Sequence, residues 1–405
     1  MNLPYFISNR ISRHSEGTFS TTINRIAVVS TGLGLAVLIV AFMVLYGFKA
    51  AIKEKIYSFS GHLIINKYTL STSFEETSIA FTDTLVAQLE GYENTAHFQP
   101  YAMKAGLLKT DDEVQGVILK GVDARFDTVS FNQHLIAGRF PNLTGKTYST
   151  EVALSQKIAN YLTLSVGEEV LIYFVQNPPR FRKLQVVGIY ETGLEEFDEK
   201  IIVGDLGLIR RMNNWKSDQA GGVEVFVKDT EKMEQAENDL FNSLDLDLYV
   251  DKVTDKYVQI FDWLNLLNRN VVVLLTIILF VVGTSIISIL LILIMERTQM
   301  IGLMKSIGAS NQLIRKVFIW NGIKLILKGL LWGNVIGLGI GLLQYYLKII
   351  PLDPTNYYMS HVPVSFDFLT VLGLNILVLL LIGLTLMVPV SIVSRIQPVK
   401  AIRFD

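Results

Sequence analysis

Residue types capable of chemistry gather at few places in this 405-residue chain, and each can be tested against the spacing its chemistry demands. The histidines stand at 14, 62, 97, 134 and 361, scattered and never in H-E-x-x-H or another ligand spacing. Zinc binding and general-base chemistry therefore have no support, and isolated structural histidines are the reading. The acidic groups "DDE" at 111–113 and "LEEFDE" at 194–199 could pair carboxylates for acid–base work, but both lie beside turn-like segments and read as solvated loops. "AGRFPNLTGKT" ends in Gly145-Lys146-Thr147. A phosphate-binding loop needs glycine five positions before the Gly-Lys pair, to let backbone N–H groups wrap the phosphates; Phe140 stands there, and Gly138 comes too early. With no cysteine, disulfides, thiolate metal sites and cysteine nucleophiles are excluded. The expectation is a chain without catalytic residues, metal ligands or a cofactor of its own.

The stretch whose pattern does point to a task is "MERTQMIGLMKSIGAS", residues 295–310, which follows an uncharged apolar run. Met300, Leu303, Met304 and Ile307 cluster on one side of a helix. Gly308 supplies a stop, and Ser310 can cap the helix that follows. A short amphipathic helix between two greasy segments can lie on a membrane surface or fit a groove in a partner, and periodicity alone does not separate the two.

The elements that must hold this piece are membrane spans. The chain is 50% hydrophobic with a mean hydropathy of +0.40, too apolar for an ordinary soluble protein and too charged to be all membrane. The formal net charge of −1 gives no reason to expect nucleic acid as a partner. A membrane crossing takes about 20 apolar residues, which assigns spans to 26–48, 271–294, 313–347 and 368–393. The third carries Lys324 and Lys328 in its first turns, where long side chains can snorkel. Orientation follows from basic residues close to the spans: Arg10, Arg13 and Arg25 before the first, Arg297, Lys305, Arg315 and Lys316 between the second and third, and Arg395, Lys400 and Arg403 after the fourth. By the positive-inside rule, 1–25 (an amphipathic amino terminus), 295–312 and 394–405 are cytoplasmic. The first span begins too far from the terminus and lacks an A-x-A-like cleavage site, so it reads as a retained anchor.

Residues 49–270 and the Pro-punctuated loop 348–367 then lie outside. The larger segment reads as a mixed α/β domain. "GHLIINKY", "VQGVILKGVD", "EVLIYFV", "KLQVVGIYE", "KIIVG" and "GVEVFV" are β-type runs, while "ALSQKIANYL", "DLGLIRRM" and "TEKMEQAENDLFNSL" have helical spacing. "YGFKAAIKEKIYSF" and "VTDKYVQIFDWLNLLNRN" are expected to be helical stalks. "QNPPRFRKL" reads as a solvated hairpin tip. Within the third span, Gly329, Gly333, Gly337 and Gly341 recur every four positions, predicting a face on which another helix, of this chain or a second one, packs closely. Pro389 predicts a static bend in the fourth span.

"MERTQMIGLMKSIGASNQLIRKVF" resembles the segment between the second and third spans of FtsX-like permeases, the MacB-type (type VII) membrane subunits of ABC transporters. "LIAGRFP…STEVALSQKIANYLTLSVGEEVLIYF" resembles their periplasmic core domain, "QPVKAIRFD" their usual ending, and "YFISNRIS…GLGLAVLIVAFMVLYGF" the lipoprotein-releasing, LolC/LolE-type branch. The resemblance implies a multi-pass subunit of the bacterial inner membrane, with its large domain in the periplasm and no ATPase activity of its own. ATP and Mg would be bound by a cytoplasmic ABC ATPase dimer. Other implied partners are a second permease, identical or related, membrane lipid, and lipoprotein or other amphiphilic cargo handled at the outer leaflet. By matching position, Met300, Ile301, Gly302, Leu303, Met304, Lys305, Ser306, Ile307 and Gly308 form the ATPase-coupling helix, with Glu296 and Arg297 at its entrance. Met300 and Asn321 stand where the family commonly has acids. A peptide or drug efflux permease and a signal transmitter for an external enzyme are the alternatives.

Overall fold

The computed structural model describes residues 4–7, 19–67, 77–143, 148–174, 176, 178–353, 357 and 359–392. The Gly145-Lys146-Thr147 run, the basic residues at 10, 13, 395, 400 and 403, and the closing 397–405 segment lie outside the described residues. The chain forms two compact units. One comprises Met1–Ala50, Trp263–Pro351 and His361–Asp405, the other Ala51–Asp262 with Leu352–Ser360.

In the first unit, segments of four helices are long and apolar enough to cross a membrane: Thr22–Ser60, Val258–Glu296, Asn311–Leu347 and Phe368–Ser391. The first begins at Phe19 and stays helical to Ser60, and the second runs from Val258 to Glu296, so both extend past their apolar spans into the residues of the second unit. The stalk leading into the second helix is not continuous: a short helix Val253–Lys256 ends at Tyr257, whose φ and ψ are −109° and 40°. The membrane core joins Leu35, Leu38 and Ile39 to Val282, Ile286, Ile326, Val378 and Ile382. Asn334 and Asn375 exchange amide hydrogen bonds of 2.7 and 2.9 Å, which satisfies two polar groups that lipid could not. The fourth helix breaks at Leu386 into Phe368–Thr385 and Met387–Ile392. Pro389 accounts for the break, since it has no N–H for the Thr385 carbonyl and its ring crowds that carbonyl.

The second unit is built on strands β1 (Leu63–Lys67), β2 (Ile79–Ala80), β3 (Thr95–Lys109), β4 (Val114–Val122), β5 (Leu135–Gly138), β6 (Glu151–Ser155), β7 (Glu169–Phe174), β8 (Arg180–Tyr190), β9 (Ile201–Asp205), β10 (Gln219–Ala220), β11 (Gly222–Val227) and β12 (Leu248–Lys252). Ten of them form one mixed sheet in the order β12-β1-β11-β3-β4-β9-β6-β8-β5, with β7 joining β3 to β8, and β2 pairs with β10. β4 with β9 and β6 with β8 are parallel pairs. One core packs Leu119, Leu154, Ile172 and Ile202 against Ile158 and Ile209 of helices Gln156–Tyr161 and Leu206–Asn213. Another packs Leu63, Val223 and Val225 against Leu85, Leu89 and Leu240 of helices Asp83–Gly91 and Met233–Ser243. "ALSQKIANYL" is divided: Ala153, Leu154 and Ser155 belong to β6, and the helix starts at Gln156, capped by the Ser155 hydroxyl.

His62 enters this second core between the rings of Tyr57, 4.4 Å away, and Phe226, 6.0 Å away. Its Nδ1 accepts the Val227 N–H at 3.2 Å, a bond that protonation at Nδ1 removes. Burial pushes the imidazole down to about 4 from an ordinary 6.5. Between those values the unfolded chain takes up a proton that the folded chain excludes. Stability is therefore complete above about pH 6.5 and falls as the pH drops toward 4. Because the ring is partly solvated, the expected loss is on the order of 1–2 kcal/mol. Thermal unfolding of the purified protein across this range should show a steeper acid-side decline than His62→Asn, which keeps an acceptor near Nδ1 but does not titrate. Equal slopes would remove His62 from the account.

Candidate functional site

Thr298–Ser306 is a separate nine-residue helix between the second and third membrane helices. Its start is a redirection, since Arg297 leaves helical geometry at φ −99° and ψ 16° while still accepting the Ile301 N–H at 3.0 Å. It stops because Gly308 takes φ +93°, a left-handed conformation that glycine adopts without steric cost, and the Ala309 N–H closes on the Met304 carbonyl at 2.9 Å. The Ser310 hydroxyl then accepts the Leu313 N–H at 3.3 Å and opens the third membrane helix at Asn311.

The apolar stripe divides between two surroundings. Ile301 is fully buried with Leu293, Ile294, Ile314, Phe318 and Val390, and Met300 and Met304 pack partly against that cluster. Leu303 and Ile307 point the other way, 60% and 79% exposed. Ile301, which periodicity did not place in the stripe, anchors the helix, and the outward pair forms its free face. Gly302 is buried, while Ser306 and Gly308 are exposed. Glu296 is exposed at the entrance. The Nε atoms of Arg297 and Arg315 are buried without a hydrogen-bond partner among the described residues.

The glycines of the third helix face the first helix of the same chain. A Cβ on Gly329 would stand 2.6 Å from Thr31 Cβ, on Gly333 2.8 Å from the Gly32 carbonyl oxygen, and on Gly337 3.0 Å from Ile39 Cβ and 3.1 Å from Ala36 Cα. At Gly341 the neighbour is the flexible end of Met43, and at Gly339 nothing lies within 4 Å. Gly337→Leu should therefore cost about 1–3 kcal/mol by overpacking, whereas Gly339→Leu should leave stability unchanged. Melting temperatures of both variants in detergent check the contrast; equal shifts would mean that the ladder is not a packing face.

Within the second unit, a polar joint fixes the last turn of the helix that ends at Ser60 to the sheet, and no sequence motif announced it. Gly61, at φ +72°, ends the helix, with the Gly61 N–H bonded to the Tyr57 carbonyl at 2.8 Å. The Lys120 ammonium donates to the Phe59 carbonyl and to Glu224 Oε1, the latter at 2.6 Å. Glu224 Oε2 accepts from Gln99 Nε2 at 2.8 Å, and Gln99 Oε1 accepts the Asp127 N–H at 3.0 Å. The rings of Phe59, Tyr101 and Phe126 surround the ammonium. A cation on the terminal carbonyls also complements the negative end of the helix dipole. The available signal was a charge in each of two apolar β runs, Lys120 in "GVILKGV" and Glu224 in "GVEVFV", of opposite sign.

The remaining candidates resolve as structure. Asp198 of "LEEFDE" is buried rather than solvated. It accepts from the Thr192 N–H, the Thr192 hydroxyl and the Gly193 N–H at 3.0, 2.8 and 2.8 Å, since a carboxylate leaving water must find donors. Burial raises its carboxyl above the ordinary range, against the pull of the Thr192 bonds. Glu195 and Glu199 share Lys157 at 2.8 and 2.6 Å, and "DDE" is an exposed turn. Among the described residues no group of three or more His, Asp or Glu could hold a metal. Of "QNPPRFRKL", Arg180–Leu184 are not a solvated tip but the start of β8, paired with β7, with Arg180 tied to the Met212 carbonyl at 2.9 Å and Phe181 exposed.

Residues 26–241 match the model of the MacB-like periplasmic core domain, and residues 272–398 that of the FtsX-like permease C-terminal region. The lipoprotein-releasing system transmembrane protein LolE of Haemophilus influenzae is 23% identical, with 99% of each chain covered. The lipoprotein-releasing system transmembrane protein LolC of Xylella fastidiosa is 22% identical, over 96% of this chain and 95% of its own. The crystal structure of the periplasmic region of MacB from Actinobacillus actinomycetemcomitans is similar with a TM-score of 0.35 at 14% identity, covering 49% of this chain and 92% of that one.

Proposed function

The chain belongs to the MacB-like, FtsX-like ABC transporter permeases, and from that premise we propose that its cytoplasmic helix receives a separate ATPase whose motion reaches the periplasmic domain. Permeases of this kind are non-catalytic, so ATP and Mg are held by the ATPase and not by this chain. The observation that carries the reading is the divided helix Thr298–Ser306, with Ile301 fixed inside the membrane unit and Leu303 and Ile307 presented outward. A helix that merely filled space would have no cause to expose two large aliphatic side chains in a loop flanked by four basic residues.

Two membrane helices continue unbroken beyond their apolar spans, supplying stiff elements through which such motion can pass. The cargo in this reading is lipoprotein or another amphiphile taken at the outer leaflet. Its support is near-full-length similarity to LolE and LolC relatives whose names carry lipoprotein release. A second permease, identical or related, completes the transporter in the inner membrane. The test is co-purification of tagged protein with a cytoplasmic ATPase, followed by hydrolysis measurements in lipid, with the outward pair as the point of attack. Normal association and normal stimulation after that pair is altered would sink the coupling assignment.

A further inference from the structure

A groove of about 610 Å³ opens between the first and third membrane helices, at the level of Arg25 near the start of the first and of Lys328 midway along the third. Its walls include Gly32, Leu33 and Trp332, and the outer sides of Leu33 and Trp332 are more than half exposed. The glycine contacts fix the register. Gly329 meets Thr31 and the Val28 carbonyl, Gly333 meets Gly32 and Leu35, and Gly337 meets Ala36 and Ile39, so the helices run side by side in the same direction. Lys328 therefore stands level with Val28, and Arg25 lies three residues nearer the helix start, roughly 4.5 Å along the axis. That gap is within the reach of a lysine that bends toward the interface. Both cations line the groove, and neither has a carboxylate partner among the described residues.

A cation carried a turn into an apolar span is costly unless an anion or water meets it. Here two cations converge at the mouth of an apolar channel, and the Oδ1 of Asn24, which also lines it, is buried without a donor among the described residues. From this we infer that the groove binds one anionic phospholipid of the cytoplasmic leaflet. The phosphate lies between Arg25 and Lys328, a headgroup hydroxyl donates to Asn24 Oδ1, and an acyl chain runs along Leu33 and Trp332. Guanidinium and ammonium both suit a phosphate oxygen. The leaflet assignment rests on the orientation used above, but binding itself does not depend on the ATPase or on orientation.

The experiment uses the full-length protein in a neutral detergent, titrated with phosphatidylglycerol or phosphatidylcholine and followed by native mass spectrometry and melting temperature. The expected result is saturable retention of phosphatidylglycerol over phosphatidylcholine. That preference should weaken roughly tenfold in R25Q/K328Q, since each basic residue near an anionic lipid contributes a few-fold or more. R25K/K328R should retain it, which separates lost charge from lost folding. Equal binding of the two lipids, or an undiminished preference in R25Q/K328Q, overturns the inference. So does coverage by a second copy. The chain has no cysteine, so rapid disulfide formation between Leu33→Cys chains in membranes, with no bound lipid, would show that the groove is an interface.

Discussion

Lys120→Met should lower the stability of the MacB-like core domain by about 3–5 kcal/mol, the usual result of removing one partner from a buried ion pair. The ammonium and the Glu224 carboxylate are 0% and 1% exposed and 2.6 Å apart, so the variant leaves a buried carboxylate with Gln99 as its remaining donor among the described residues. It also strips the Phe59 carbonyl of its donor at the point where the first helix ends on the sheet. Thermal unfolding should drop by on the order of 10 °C for a domain of this size. Protease cleavage should begin near residues 59–62. Lys120→Met with Glu224→Leu should recover much of the loss, because two apolar groups of similar volume can replace a buried pair at little cost. If the single variant melts within a degree or two of the parent, the joint does not fasten the helix. If the double variant is no better than the single, packing at Lys120 matters more than its charge.

That joint also marks where sequence reading ran short. The apolar spans were legible because lipid imposes one rule on about 20 consecutive residues. The strands with alternating or continuous apolar runs were legible for a similar reason. β3 was not, although it is a 15-residue central strand pairing with β11, β4 and β7. "TAHFQPYAMKAGLLK" carries Gln99, Pro100, Lys104 and Gly106 where a buried strand ordinarily shows Val, Ile or Leu. Those exceptions have tertiary causes: Gln99 serves the Lys120–Glu224 joint, and at Gly106 a Cβ would meet the Ile172 side chain at 2.9 Å. Local periodicity cannot register a partner 125 residues away.

The stretch between the second and third membrane helices shows the same limit on a finer scale. Its helix and its glycine stop follow from local rules, and both can be written from residues 298–310 alone. Which apolar residues turn inward cannot, because Ile301 is claimed by Phe318 and Val390, neighbours set by the packing of three membrane helices. Met300 and Met304 consequently spend part of their surface on the membrane unit. The burden of any ATPase contact falls on Leu303 and Ile307.

This division makes Leu303→Glu the decisive substitution for function. At 60% exposure the new carboxylate costs the isolated permease little, since it remains in water. In a complex it would be pressed against an apolar groove without a partner, a burial that costs several kcal/mol and lowers affinity by at least a hundredfold. Co-purification with the ATPase and permease-stimulated hydrolysis should fall together, while the melting temperature of the permease alone stays within a degree or so of the parent. Ile301→Glu provides the contrast: it buries charge inside the membrane unit and should destabilise the permease itself. A helix that only rests on the membrane surface gives a different pattern, in which Leu303→Glu loosens lipid contact and leaves the ATPase complex intact. Leu303 and Ile307 have no other visible occupant among the described residues. Unaltered binding and hydrolysis in a correctly folded Leu303→Glu protein would therefore overturn the proposal that the helix Thr298–Ser306 receives an ATPase.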